Sequence, residues 1–293
     1  MKITVGIPAF NEEKNIINII EKLQKKVDII LVCDDGSTDK TGEFAKKMGA
    51  IVITHKRNLG YGAAIRSLFL KARELKSDML VTLDSDGQHR IEDLLSVAKP
   101  IIDKQADMVI GSRFLQGNPK NIPKYRKFGI KIITRLANSS LEKSVTDSQS
   151  GFRAYSQNIL STITPLEQGM GVSNEILMKS SKNGFKIAEV PIVVSYEGNT
   201  STQDPISHGV SVIMSTLKFI SIEHPLKFYG ISGLIFLIIG LIFTIHTIQG
   251  FTETRQILLS SAIMGVGTII FGSILLMTSI ILFSIVNIVR EKN

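Results

Sequence analysis

The sequence has one cysteine, Cys33, and no tryptophan. A lone cysteine excludes an intrachain disulfide and a cysteine-rich zinc site, and its place in an apolar stretch is typical of a buried strand. No signal peptide is expected before the first predicted strand, because the segment from Met1 to Pro8 is short and runs directly into a turn. We therefore expect the large N-terminal domain to remain in the cytosol.

Charged side chains are nearly absent from two long stretches close to the C-terminus. Residues 228–248 are almost wholly apolar, and residues 257–288 contain no charged residue. Since roughly 20 residues cross the hydrocarbon core of a bilayer, the two stretches are predicted to form a transmembrane helical hairpin. The alternative is a pair of buried core helices, which normally keep a polar face.

The basic residues that flank this hairpin indicate its orientation. They lie outside both predicted spans, at Lys218, Lys227, Arg290 and Lys292. The positive-inside rule then places both ends of the hairpin in the cytoplasm, as in a multi-pass protein of the cell membrane.

Acidic residues are absent from 118–141, in a chain whose formal net charge is +8. The basic residues of this segment are Lys120, Lys124, Arg126, Lys127, Lys131 and Arg135. Four of them recur at helical spacing, which indicates a basic helix face that contacts lipid headgroups or a lipid phosphate, or else a solvated face. Because the same chain has two predicted membrane spans, the anionic bilayer surface accounts for the positive charge of the chain, and no nucleic-acid partner is expected.

An amphipathic stretch, 206–217, precedes the first span. Its apolar residues recur at helical spacing, so residues 206–227 are predicted to lie along the membrane interface. A helix packed on the preceding domain is the alternative.

The first half of the chain alternates short β-rich runs with helical stretches, which predicts a largely parallel sheet. The predicted strands are Ile3 to Ile7, Asp28 to Cys33, Ala50 to Thr54, Met79 to Leu83 and Met108 to Ile110. Asn11 is a predicted N-cap of the first helix, and the second helix is predicted to end at Met48, before Gly49.

Acidic turns follow three of the predicted strands. They are Pro8 to Glu13, Asp34 to Asp39 and Asp84 to Gln88. Carboxylates gathered at one sheet edge repel one another, so they need a cation or a hydrogen-bonding ligand. Asp84, Asp86 and Gln88 alternate along the chain and can direct oxygen atoms to one point, as Mg²⁺ or Mn²⁺ requires, with substrate phosphates completing the shell. A solvated surface turn is the alternative.

Six motifs together resemble those of family 2 glycosyltransferases, in the same order. They are Pro8 to Glu12, Asp34 to Asp39, Arg57 to Gly60, Asp84 to Gln88, Gly111 to Phe114 and Asp147 to Arg153. The resemblance is strongest to dolichyl-phosphate mannose and glucose synthases and their bacterial polyisoprenyl-phosphate relatives, and it covers nearly all of residues 1–195. It implies an α/β fold of the GT-A type with a Rossmann-like mixed sheet. The implied organisation is a cytosolic domain at 1–205, an interfacial helix at 206–227 and a transmembrane hairpin at 228–293.

The resemblance also implies roles for individual residues. The nucleotide would contact Pro8, Ala9, Glu12 and Asp35, and the metal would be bound by Asp84, Asp86 and Gln88. The acceptor phosphate would be held by Arg113, Arg126 and Arg135, and the sugar side would be lined by Asp147 and Arg153. As an alternative, Arg153 is a structural ion-pair partner of Asp147.

The implied reaction is inverting transfer of a hexose from a GDP or UDP sugar to dolichyl or polyisoprenyl phosphate. Two rivals stay open: an enzyme that extends a lipid-linked saccharide, for which Glu175 would be the base, and a non-catalytic membrane adaptor. The chain departs from many relatives at Tyr196 to Ser201, where they carry an arginine. Homo-oligomer formation also stays open.

Overall fold

The computed structural model describes residues 1–116, 124–194 and 225–291, together with positions 214, 217 and 221. The chain divides into two compact units, Met1–Thr216 and Leu217–Asn293. Apart from positions 214 and 217, the predicted amphipathic stretch 206–217 lies outside the described residues, as do the loop Tyr196 to Ser201 and the side chain of Arg126. The predicted domain boundaries therefore remain predictions.

The first unit is built on a mixed sheet of seven strands in the order β3-β2-β1-β4-β6-β5-β7. The strands are β1 (Ile3–Ala9), β2 (Ile29–Asp34), β3 (Ile51–Thr54), β4 (Met79–Thr82), β5 (Met108–Ser112), β6 (Arg153–Ser156) and β7 (Ile187–Pro191). β6 runs antiparallel to both of its neighbours, while the other pairs are parallel. The carboxyl ends of β1, β2 and β4 consequently meet along one edge of the sheet.

Helices cover both faces of this sheet. They are α1 (Glu13–Leu23), α2 (Thr41–Lys47), α3 (Tyr61–Glu74), α4 (Leu94–Ile102), α5 (Lys124–Asn138), α6 (Gln157–Thr162) and α7 (Val172–Lys182). One core cluster joins α1, α2 and α4 to the sheet, and the other joins α3, α6 and α7 to its opposite face. Burial of these aliphatic side chains on two faces fixes the sheet, and with it the positions of the strand ends.

The predicted mixed α/β fold is confirmed, with local corrections. β1 continues two residues beyond the predicted end, to Ala9. Asn11 does not cap α1: it has a positive φ of 56°, and its side chain instead accepts a hydrogen bond from the backbone N–H of Thr38, at 2.9 Å. The second helix ends at Lys47, one residue before the predicted end, with Met48 as its C-cap, and Gly49 has a φ of 82°.

The second unit contains α8 (Ile231–Thr254), preceded by a π-helical turn (Leu226–Gly230), and α9 (Leu259–Glu291). Both are long and apolar enough to cross a membrane. The two helices pack through glycines, because a Cβ at Gly233 would lie 2.9 Å from the carbonyl oxygen of Gly272, and one at Gly265 would lie 2.9 Å from the hydroxyl of Thr244. Close approach of backbones at small residues is typical of transmembrane helix pairs.

Candidate active site

A cavity of about 260 Å³ opens at the carboxyl ends of β1, β2 and β4. Open α/β sheets bind ligands at this edge. The polar residues that line the cavity are Glu12, Asp35, Asn58, Tyr61, Asp84, Ser85, Asp86, Gln88, His89, Arg113, Gln149 and Ser173. Pro8 and Ala9 also line the cavity. The structure therefore brings most of the predicted site residues into one space.

The turn after β1 contributes Glu12. Burial raises the pKa of this carboxyl group, and the negative charges of Asp86 and Asp39 add to the rise, against a hydrogen bond from Asn15 that lowers it. Carboxyl groups that raise one another's pKa favour a bound cation or a hydrogen-bond donor between them.

Asp35, at the end of β2, is buried and held by three donors. Its Oδ1 accepts from His55 Nδ1 at 2.6 Å and from the backbone N–H of Leu59 at 2.9 Å, and its Oδ2 accepts from the backbone N–H of Gly60 at 2.8 Å. A carboxylate offers about four acceptor positions. Among the described residues, these three donors leave one position of Asp35 open, on Oδ2.

Asp84, at the end of β4, is fixed on two sides. The hydroxyl of Tyr61 donates to its Oδ1 at 3.0 Å, and His89 Nε2 lies 3.3 Å from its Oδ2. Burial acts to raise the pKa of Asp84, but the contacts with His89 and Tyr61 outweigh it and hold the pKa below its usual value. Gly151 covers the carboxylate so closely that a Cβ there would collide with both of its oxygens.

Asp86 and Gln88 follow in the same turn, which Gly87 bends with a φ of 71°. The backbone N–H of Gln88 donates to Asp86 Oδ1 at 2.9 Å. No group of three or more His, Cys, Asp or Glu side chains arranged for a metal occurs within the described part of the chain. Two carboxylates and an amide on one cavity wall nonetheless fit Mg²⁺ or Mn²⁺, which commonly take one or two protein carboxylates plus substrate phosphates.

Arg113 and Asp147 form a buried ion pair beside the cavity. The guanidinium donates from Nε and Nη2 to the two carboxylate oxygens at 2.7 and 2.8 Å. Burial raises the pKa of Asp147, but Arg113 outweighs this effect and the pKa is lowered overall. Glu189 of β7 supports the pair, because its carboxylate accepts from the backbone N–H groups of Thr146 and Asp147. Arg113, which lines the cavity, is thus held in one orientation.

Arg153 lies elsewhere than the resemblance implied. Its side chain is fully buried, and it donates to the carbonyl oxygens of Ser148, Ser150 and Ser173 at 2.6 to 2.8 Å. It does not line the cavity, and the ion-pair partner of Asp147 is Arg113. Arg153 therefore braces the loop between α5 and β6 against α7, and the expectation that it contacts the sugar is corrected.

Glu175, the base required by the saccharide-extending alternative, has a structural role. Its carboxylate accepts from the backbone N–H groups of Leu166 and Glu167 and pairs with Lys179 at 2.7 Å. It is not among the residues that line the cavity.

The predicted phosphate ligands Arg126 and Arg135 lie on α5. Arg135 is exposed and does not line the cavity. The inner face of this helix is buried through Ile130, Ile133 and Ala137, so Arg135 points away from it. Of the three arginines assigned to the acceptor phosphate, the structure brings Arg113 to the cavity.

Sequence reasoning missed three residues that contact the acidic side chains. Tyr61 and His89 contact Asp84, and His55 contacts Asp35. His89 directly follows the predicted metal motif, and His55 directly follows β3. Their positions just after these segments were the signal by which the sequence could have indicated them as site residues. The contacts themselves cross between elements and leave no local pattern.

Comparisons with known proteins place the chain among glycosyl-transferring enzymes. Its fold matches the crystal structure of glucosyl-3-phosphoglycerate synthase from Mycobacterium tuberculosis in complex with Mn²⁺, UDP and glucosyl-3-phosphoglycerate, with a TM-score of 0.59 and 21% identity over 74% of this chain and 79% of that one. The model of glycosyl transferase family 2 matches residues 4–164. The chain belongs to glycosyl transferase family 2.

Two archaeal relatives resemble most of the chain. An uncharacterized protein of Methanocaldococcus jannaschii is 40% identical over 219 residues, which cover 72% of this chain and 87% of the relative. The UDP-N-acetylglucosamine–dolichyl-phosphate N-acetylglucosaminyltransferase of Methanococcus voltae is 35% identical over 234 residues, which cover 71% of this chain and 89% of the relative.

Proposed function

We propose that the protein transfers a sugar from a nucleoside diphosphate to a polyisoprenyl or dolichyl phosphate, with inversion at the anomeric carbon. The observation that carries this proposal is the convergence of three acidic strand ends and the fixed cation of Arg113 on one cavity. The name of the Methanococcus voltae relative supports a dolichyl-phosphate acceptor.

In the proposed reaction, a phosphate oxygen of the acceptor attacks the anomeric carbon. The bond from that carbon to the donor diphosphate breaks, and its electron pair leaves with the nucleoside diphosphate. An ionised phosphate needs no strong base, so the cavity's acidic residues are not required to remove a proton. Arg113 orients a phosphate group, and its pairing with Asp147 means that little reorganisation is needed when the substrate binds.

Asp84 and Asp86 are the proposed metal ligands, with Gln88 beside them. A bound Mg²⁺ or Mn²⁺ would neutralise the negative charge of the departing diphosphate. The pKa of Glu12 is raised in part by the negative charge of Asp86, and this repulsion supports a cation between the two carboxyl groups.

The donor nucleotide is proposed to be UDP. Uracil presents one ring N–H donor, whereas guanine presents a ring N–H beside an amino group and pairs best with both oxygens of a carboxylate. Asp35 has three of its acceptor positions taken by His55, Leu59 and Gly60. The remaining position on Oδ2 suits a base with one donor. The UDP-sugar donor in the name of the Methanococcus voltae relative supports the same choice.

The surroundings of Glu175 weigh against the saccharide-extending alternative. A carboxylate that accepts two backbone N–H groups and an ammonium group outside the cavity cannot reach a sugar hydroxyl within it.

The acceptor lipid is proposed to reach the enzyme at the cytosolic membrane surface. α5 exposes Phe128 and Ile132 beside the exposed cations Lys131 and Arg135, a combination that suits the headgroup region of an anionic leaflet. The long apolar helices α8 and α9 support a membrane anchor.

The proposal is tested with purified full-length protein in detergent. Radiolabelled UDP and GDP sugars are offered with polyisoprenyl phosphate, in Mg²⁺, Mn²⁺ or EDTA. The expected product is an acid-labile sugar lipid that forms from a UDP sugar and requires the metal. Transfer to a lipid-linked saccharide alone would favour the first rival, and metal-dependent UDP binding without turnover would favour the adaptor.

Asp86→Asn is the sharpest variant for the metal role. Loss of one ligand charge is expected to lower the transfer rate by about 10² to 10³-fold, comparable to loss of one group that stabilises a transition-state charge. Asp103→Asn is the matched control, because Asp103 pairs with Lys99 on the surface of α4. Normal transfer by Asp86→Asn would contradict the proposal.

A further inference from the structure

His89 has no assigned role, although it lines the cavity. Its side chain is 7% exposed, and its ring is held on several sides. The ring packs edge-on against Phe152 with centroids 5.3 Å apart, and the backbone of His89 pairs with Val194 in an isolated antiparallel bridge. The histidine therefore has one orientation, with Nε2 directed at Asp84.

The contact with Asp84 determines which ring nitrogen of His89 carries the proton. An ionised carboxylate offers only acceptors, so Nε2 carries the proton that is shared with Asp84 Oδ2. Nδ1, on the other side of the ring, is buried and has no hydrogen-bond partner among the described residues. A buried polar atom without a partner costs free energy. An apolar side chain would fill the same space against Phe152 without that cost, so packing alone does not explain a histidine at this position.

We propose that His89 is a positioning residue that orients the Asp84 carboxylate for the metal. Together with Tyr61, which donates to the other oxygen, it holds both carboxylate oxygens of Asp84. Partners that orient a ligating carboxylate commonly change metal affinity by about 10- to 100-fold when removed. This inference rests on the metal-assisted reaction proposed above and adds the residue that prepares its site.

Two polar substitutions of His89, similar in size, distinguish a role in positioning Asp84 from a role in packing. The amide nitrogen of glutamine is as many bonds from Cα as Nε2 of histidine, whereas that of asparagine corresponds to Nδ1. His89→Gln is therefore expected to keep the hydrogen bond to Asp84, and His89→Asn is expected to lose it. His89→Ala removes both the donor and the ring.

The experiment measures Mn²⁺ affinity in the presence of UDP by electron paramagnetic resonance, on the full chain in detergent. His89→Asn and His89→Ala are expected to bind Mn²⁺ about 10- to 100-fold more weakly, with His89→Gln close to wild type. UDP affinity without metal and the thermal unfolding temperature are measured alongside. For the Asn and Gln pair, equal unfolding temperatures with different Mn²⁺ affinities would support the positioning role.

Unchanged Mn²⁺ affinity in His89→Ala would overturn the role of His89 while leaving the proposed reaction intact. If His89→Ala does not fold, equal Mn²⁺ affinities of the Asn and Gln variants would overturn it instead. Wild-type protein that binds no Mn²⁺ with either UDP or GDP would overturn the metal-assisted reaction, and this inference with it. These outcomes do not depend on the acceptor, because no acceptor is present.

Discussion

The two units of the chain place opposite kinds of residue inside. In the sheet unit, large aliphatic and aromatic side chains such as Leu68 and Phe69 are fully buried. In the hairpin, the buried positions of α8 are Gly233 and Gly240, while Leu241 is 57% exposed. The same residue type, leucine, thus lies inside one unit and outside the other. The sheet unit is organised by exclusion from water, whereas the hairpin is organised by close contact between backbones.

A matched pair of leucine truncations tests this difference most strongly. Leu68→Ala removes fully buried atoms from the core and is expected to lower the free energy of unfolding by about 2 to 5 kcal/mol. Leu241→Ala removes exposed atoms from the hairpin and is expected to change it by less than about 0.5 kcal/mol. Denaturant unfolding in detergent measures both. Equal effects would contradict the contrast between the two units.

A glycine pair tests the hairpin by itself. At Gly240, a Cβ would lie 2.8 Å from the hydroxyl oxygen of Thr268, so Gly240→Val is expected to destabilise the helix pair by about 1 to 3 kcal/mol. Gly267→Val is the control, since a Cβ at Gly267 has nothing within 4 Å. Denaturation in mixed sodium dodecyl sulfate micelles measures both variants. A loss of stability in the control that matched that of Gly240→Val would show that the glycine contacts are unimportant.

Low pH is expected to have a smaller effect on the free energy of unfolding of the sheet unit. Arg113 lowers the pKa of Asp147 below its value in the unfolded chain, despite burial. The stabilisation from this carboxylate is therefore complete above the unfolded pKa, at about 4, and is lost as pH falls through the lower folded pKa. Asp147→Asn should be less stable than wild type at pH 7, and this difference should shrink below about pH 4.

Denaturant unfolding of the wild type and Asp147→Asn between pH 3 and pH 7 checks this prediction. Other acidic groups titrate in both proteins, so their contributions cancel in the difference. A difference that stayed constant over the whole range would mean that the charge of Asp147 does not stabilise the fold.

Much of the sheet could be predicted because its parallel strands are short apolar runs bounded by turns. β1 to β5 lie within two residues of their predicted bounds. β6 and β7 were missed. The four residues of β6, Arg153–Ser156, contain arginine and serine and begin at the last residue of a glycine-containing motif, and β7, Ile187–Pro191, contains Glu189 and ends in proline. The insertion of β6 between β4 and β5 depends on long-range pairing, which a local pattern does not encode.

The candidate site was predictable as a set of strand ends but not as a set of contacts. Asp35, Asp84 and Asp86 line one cavity, as expected from parallel strands that end at one edge. Arg153 could not be placed from its motif, because its burial depends on carbonyl groups of the 148–150 loop and of Ser173. The roles of the individual residues in binding and catalysis remain predictions.

The spacing of the glycines also fixes the register of the two hairpin helices. Gly233 and Gly240 are seven residues apart on α8, and Gly265 and Gly272 are seven residues apart on α9. Gly233 meets Gly272, while Gly265 approaches the carbonyl oxygen of Gly240. Sliding one helix past the other by a single residue would insert a side chain between the backbones at both levels. One inserted residue between Gly233 and Gly240 would therefore allow only one of the two contacts to stay in register, whereas an insertion in the loop before Leu259 would leave both matched.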